Sequence, residues 1–167
     1  MGIVRPGITE IRNCLRNADW PEPDLRGGTP AMRTAIEIEV RPTEIDMMGH
    51  VNNAKYLEYM EWSREDWYNK AGLPFDVFTE MGIGTVTVNI NINYRKEVRL
   101  GEKLTISTEP VRRGRTSFVL RHEIYNEKGE RVADAEVISC TIDLKARKAV
   151  PIPEALARWF EGLEAKQ

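Results

Sequence analysis

Beginning at residue 35, apolar Ile36, Ile38 and Val40 alternate with charged Glu37, Glu39 and Arg41, the period-two signature of a half-buried strand over 35–41 that Pro42 ends. The stretch 54–70 contains no glycine or proline and spaces Tyr56/Leu57, Met60, Ser63/Arg64 and Trp67 by three or four residues. That spacing predicts a helix of four to five turns, capped by Asn52 or Asn53 and stopped by Gly72 and Pro74. A second short helix is expected over 75–81. Beyond it the pattern reads as strands over 85–96, 103–113, 115–126 and 131–143, separated by Gly101, Gly114 and Lys128-Gly129. Tight connections make these neighbours antiparallel. From Val86 to Tyr94 the alternation predicts an apolar face opposite a face bearing Asn89, Asn91 and Asn93. The asparagines fit a polar outer face, a contact between dimers or a strand at a site entrance. A final helix is expected over 153–163.

One strand, a long helix and four antiparallel strands make an α+β layer. A helix of about 17 residues cannot cover both faces of five strands, so an uncovered face or edge predicts at least a dimer. Residues 1–33 form a separate N-terminal arm, carrying Pro6, Pro21, Pro23 and Pro30 and the pair Gly27-Gly28. A two-turn helix over 9–17 is its one regular candidate, and residues 34–167 form one domain. The 167 residues include 24 Lys+Arg and 26 Asp+Glu, a formal net charge of −2, which disfavours a nucleic-acid partner. No apolar run is long enough to insert in a membrane and the N-terminus lacks a secretory core, so a cytoplasmic protein is expected. Cys14 and Cys140, with His50 and His122 as the two histidines, argue against a disulfide scaffold or a zinc site.

Candidate chemistry concentrates just before the long helix, where Asp46, Gly49, His50, Asn52 and Asn53 converge on its free N–H groups and positive dipole end. Such a terminus can hold a developing oxyanion, and Asp46 can attack a carbonyl or deprotonate water. This combination suits acyl transfer to water.

The string D-x-x-G-H-V-N-N-A-x-Y from Asp46 to Tyr56, followed by E-x-x-R at Glu61 and Arg64, resembles the active-site loop and helix of the 4-hydroxybenzoyl-CoA thioesterase-like hotdog family. Tyr94-Arg95 with Gly101-Glu102, and the run from Arg112 to Val119, resemble later family segments. The resemblance covers roughly residues 35–150. It implies a hotdog fold, with a five-stranded antiparallel sheet wrapped around one long central helix. It also implies a homodimer with sites at the interface, no metal and no cofactor beyond the CoA of the substrate. Asp46 matches the family's catalytic aspartate, and the backbone N–H near Asn53 matches the group that polarises the thioester carbonyl. Plant-type acyl-ACP thioesterases share H-V-N-N but carry asparagine where this chain has Met48. Their histidine position matches His50, which leaves a role for His50 open. Glu58 and Glu61 lie on the helix, where other hotdog proteins place a catalytic glutamate.

The expected activity is hydrolysis of a fatty or aromatic acyl-CoA, with the acyl-ACP thioester as an alternative. Gly49 serves the loop backbone or a close approach of the acyl chain. His50 holds the loop or touches the substrate. Tyr56, Met60 and Trp67 belong to the core, Tyr56 also lining the acyl tunnel, and Trp62 lies on a flank suited to a subunit contact. Glu61 and Arg64 form an intrahelical pair or support the site. Arg112, Arg113 and Arg115 are a solvated hairpin end or CoA-phosphate ligands. His122, between Arg121 and Glu123, is expected at the surface or an interface. A hydratase is disfavoured because the run H-F-x-G-x-P is absent. The competing class is a non-catalytic acyl-CoA sensor or scaffold, disfavoured by the presence of Asp46. A dimer of dimers is the further assembly these surfaces allow.

Overall fold

The computed structural model describes residues 32–163; the 1–31 part of the arm, with its expected helix, lies outside the described residues. The elements are β1 (Thr34–Glu39), α1 (Lys55–Lys70), α2 (Phe75–Glu80), β2 (Ile83–Tyr94), β3 (Lys103–Arg113), β4 (Ser117–Asn126), β5 (Arg131–Asp143) and α3 (Glu154–Ala157). Short 3-10 turns occupy Pro42–Glu44 and Arg158–Phe160. The last helix is therefore shorter than the sequence suggests, its second part tightening to 3-10.

All five strands form one antiparallel sheet in the order β1-β3-β4-β5-β2. Consecutive β2 and β3 are thus not neighbours, contrary to the expectation from their short separation. The intervening residues 95–102 carry the chain across the sheet, and β2 pairs along β5 while β3 takes β1 on its other side. The even alternation expected in β2 is also broken. A register shift between Thr87 and Asn89 makes Val88 an extra residue, so Val86 falls on the side of Asn89, Asn91 and Asn93, and Ile90 and Ile92 stay opposite. The asparagine side joins the charged outer face, where Asn93 Nδ2 donates to Asp134 Oδ2 at 3.1 Å.

Helix α1 covers the other face and organises two apolar clusters. Near its start Tyr56, Tyr59 and Met60 pack with Val40, Val98, Leu104, Ile106 and Ile124. Toward its end Trp67 packs with Leu73, Phe78, Phe118, Leu156 and Phe160, and its indole N–H donates to Met32 O at 2.7 Å. Tyr56, Met60 and Trp67 are core residues, as their spacing predicts.

A polar row crosses the sheet on this inner face: the register aligns Thr34 with Thr108, Thr108 with His122 and His122 with Ala135. Ser63 of α1 sits above it, 3.1 Å from Ile106 O and 2.7 Å from Thr108 Oγ1, which is 2.9 Å from His122 Nδ1. His122 is fully buried, which corrects its expected surface or interface placement. Its charged neighbours Arg121 and Glu123 take the outer face because strand side chains alternate.

Burial, with the charge of Arg64 adding to it, pushes the His122 pKa down to about 3. Between that value and an unfolded value of about 6.5 the unfolded chain binds the extra proton, so stability falls with pH by up to ~1.4 kcal/mol per pH unit. The contribution is complete above about pH 6.5 and is lost as pH falls toward 3. Urea denaturation at pH 7 and pH 5 should show the wild type losing about 2 kcal/mol more than His122→Asn; equal losses would contradict the buried neutral imidazole.

Candidate functional site

The loop before α1 is a narrow reversal closed by an isolated bridge between Ile45 and Val51. The Asp46 amide donates to His50 O and the Gly49 amide to Asp46 O, both at 3.0 Å. Gly49 has φ +81° and no atom within 4 Å of the place a Cβ would take. Backbone conformation, rather than close approach, is its requirement.

The two carboxylate oxygens of Asp46 have different surroundings. Oδ1 accepts the Met48 amide at 2.8 Å, an Asx turn that fixes the side chain. Oδ2 lies 3.7 Å from His50 Nδ1, with both side chains part-exposed. Asp46 is thus both a turn-former and a carboxylate with one oxygen directed at His50. Met48 points into solvent at 72% exposure and adds no polar group.

At the helix start, Asn52 does the capping by a route the sequence expectation missed. The N-cap position belongs to Ala54, without a side-chain bond of its own. Asn52 Oδ1 accepts the Ala54 amide at 2.9 Å and Asn52 O accepts the Lys55 amide at 2.9 Å. The Asn52 amide donates to Glu44 O at 2.9 Å. Among the described residues, the Asn53 amide in the middle of this run has no partner. Its direction is set, because the planar Asn52–Asn53 peptide is fixed through Asn52 O. Tyr94 Oη donates to Asn53 O at 3.1 Å, securing the next peptide. An open, oriented amide at a helix N-terminus is the donor an oxyanion requires.

Glu44 and Tyr59 were missed by the sequence analysis. Glu44 is buried, and its Oε2 accepts Tyr59 Oη at 2.9 Å and the Arg41 amide at 2.8 Å. The available signal was Glu44 three residues after Arg41 at a proline turn, the spacing of a reciprocal cap. Tyr59 is raised in pKa by burial and then by the Glu44 bond. Tyr56, packed edge-on against Tyr94 at 5.2 Å, is pushed up to about 12, chiefly by burial. Both remain neutral phenols at physiological pH.

Asp46, Gly49, His50, Asn53 and Tyr56 are therefore brought together at one end of α1. Glu61 is exposed one flank away, and no ion pair joins it to Arg64 among the described residues, so the intrahelical pair is not formed. Arg112, Arg113 and Arg115 lie elsewhere. Their hairpin precedes Phe118, which packs with Trp67 at the far end of α1, and Arg112 is 3.4 Å from Glu136. Within one chain they do not join Asp46. No group of three or more His, Cys, Asp or Glu side chains that could hold a metal occurs among the described residues.

Residues 40–160 match the model of the thioesterase-like superfamily. The chain is 38% identical over 128 residues to the long-chain acyl-CoA thioesterase FadM of Escherichia coli, covering 76% of this chain and 96% of that protein. It is 29% identical to the 1,4-dihydroxy-2-naphthoyl-CoA hydrolase of Thermosynechococcus vestitus, covering 71% and 82% of the two chains. The solved DHNA-CoA thioesterase of Staphylococcus aureus superposes with a TM-score of 0.70 at 28% identity, over 77% of this chain and 87% of that one.

The two oxygens of Asp46 are separable by substitution. Asp46→Asn retains an acceptor for the Met48 amide and should change stability by less than about 0.5 kcal/mol, whereas Asp46→Ala should lose about 1 kcal/mol. Urea denaturation of the two variants makes the comparison.

Proposed function

The chain belongs to the thioesterase-like superfamily and is an acyl-CoA thioesterase of the hotdog fold, and from that premise we propose how its residues carry out the hydrolysis. The acyl thioester carbonyl accepts the open Asn53 amide, whose N–H, without a partner among the described residues, is the observation that carries the reading. Asp46 supplies the reacting carboxylate through Oδ2, the oxygen not engaged by Met48. It either attacks the carbonyl carbon, giving a mixed anhydride and CoA thiolate that water then resolves, or removes a proton from the attacking water. His50, 3.7 Å from Oδ2, keeps that oxygen oriented. Gly49 permits the loop reversal, and Tyr56 and Tyr94 form an aromatic wall beside the helix start. CoA enters as part of the substrate, and none of these steps draws on another cofactor.

The substrate belongs to the fatty or aromatic acyl-CoA class. We further read the unit as a dimer. Strand β2 is an edge, and Val88, Ile90 and Tyr94 on it are 59%, 37% and 48% exposed. A long edge with apolar side chains favours pairing with a second copy. Antiparallel pairing of two β2 strands reverses the ends of the second sheet. The second copy's β3–β4 hairpin, with Arg112, Arg113 and Arg115, then falls at the Asp46 end. This supports those arginines as ligands of the CoA phosphates across the interface.

Thiol release from a panel of aliphatic and aromatic acyl-CoAs tests the chemistry. Wild type should hydrolyse at least one of them, and Asp46→Asn should be slower by a factor of about 100 or more, roughly 2.7 kcal/mol on the barrier. Tight binding without turnover would instead favour a sensor. Light scattering should give at least twice the 19.2 kDa chain mass.

A further inference from the structure

The proton positions in the buried polar row can be assigned. A serine hydroxyl has one proton, and a backbone carbonyl only accepts. Ser63 Oγ donates to Ile106 O, so Thr108 donates to Ser63, and His122 Nδ1–H donates to Thr108. His122 Nε2 is then an unprotonated acceptor, and it is buried without a partner among the described residues. Since Nδ1 is turned toward β3, Nε2 is turned away from it, toward β5 and the helix. The register neighbour there is Ala135, which has no polar side-chain atom to pair with it.

The helix flank above this position carries Arg64. Tyr68, four residues on and so on the same flank, places its hydroxyl 3.5 Å from Thr85 Oγ1. Arg64 is half-buried, and no hydrogen bond or ion pair occupies its guanidinium among the described residues. It follows Ser63, whose hydroxyl sits over Thr108 and so over the strand pair that holds His122. A half-buried cation and a buried lone pair, both without partners among the described residues, thus border the inner face on the side of the β2 edge.

We propose that Arg64 as donor and His122 Nε2 as acceptor bind a hydroxyl group carried by the acyl chain. This rests on the thioesterase reading above and specifies the substrate of that same site. A hydroxyl satisfies both groups at once, giving its proton to Nε2 and accepting from the guanidinium. A carboxylate would satisfy Arg64 but set acceptor against acceptor at Nε2, and a methyl would leave both unpaired. The level of Arg64 on α1 is about 15 Å from the helix N-terminus, and its side chain leans back toward that terminus. An extended alkyl chain advances about 1.25 Å per carbon, so the hydroxyl lies roughly ten to twelve carbons from the thioester, too far for the ring hydroxyl of a small aromatic acid.

The test compares kcat/KM for ω-hydroxyacyl-CoAs of roughly eight to twelve carbons with plain and ω-carboxy chains of equal length. Wild type should favour the hydroxylated chain by about tenfold or more. His122→Asn keeps a donor for Thr108 and, being shorter, withdraws the acceptor from the position of Nε2, and Arg64→Met removes the cation from a part-exposed helix position. In each variant the preference should fall toward one, and Arg64→Lys should restore part of it. Hydrolysis of plain and hydroxylated chains with equal efficiency overturns this inference and leaves the thioesterase reading standing; it is the result expected if water or the second subunit occupies the two groups. Preference for the carboxylated chain overturns it as well. Failure to hydrolyse any thioester overturns both.

Discussion

The buried carboxylate of Glu44 ties the reactive loop to the helix that serves it. One of its oxygens takes both the Tyr59 hydroxyl and the Arg41 amide, while its backbone carbonyl takes the Asn52 amide. The turn after β1, the second turn of α1 and the segment leading into the helix therefore share one anchor. Hydrogen bonds to a buried carboxylate are worth more than neutral ones, and removing one partner leaves a desolvated acceptor behind. The separation between the Asp46 loop and the Asn53 amide follows from this anchor. Gly49 and the Asx turn at Asp46 then adjust only the last few bonds.

The interior is polar in one layer and apolar on either side of it. The clusters around Tyr59 and around Trp67 account for the docking of α1 by area burial. Between them the row of Ser63, Thr108 and His122 fixes which turn of the helix meets which pair of strands, since a shift along the sheet would leave hydroxyls unpaired. The same row places hydrogen-bonding groups where an acyl chain running beside the helix would end. Packing and substrate selection thus draw on the same side chains.

Much of this was legible in the chain. Alternation located β1, β3 and β5 closely, and the spacing of Tyr56, Met60 and Trp67 gave the buried face of α1. The motif from Asp46 to Tyr56 gave the group of side chains that meets at the start of α1, because its members are local in sequence. Four features were hidden for physical reasons. The strand order depends on the path of residues 95–102, which no local pattern encodes. The bulge at Val88 interrupts a run whose sequence alternates without a break. His122 was misplaced because charged neighbours in a strand face away from it. Glu44 was overlooked because a lone acidic residue in a turn is ordinarily solvated, and its partner Tyr59 lies 15 residues away.

The central claim is that the thioester carbonyl docks on the Asn53 amide at the start of α1. Isotope-edited infrared spectroscopy of an acyl-CoA labelled with carbon-13 at that carbonyl, bound to Asp46→Asn, tests it directly. A carbonyl stretch shifted to lower frequency than in water is the expected result, because an oriented amide and helix dipole polarise the bond in a less solvated site. A bound thioester whose stretch matches that of the free compound in water would contradict the account.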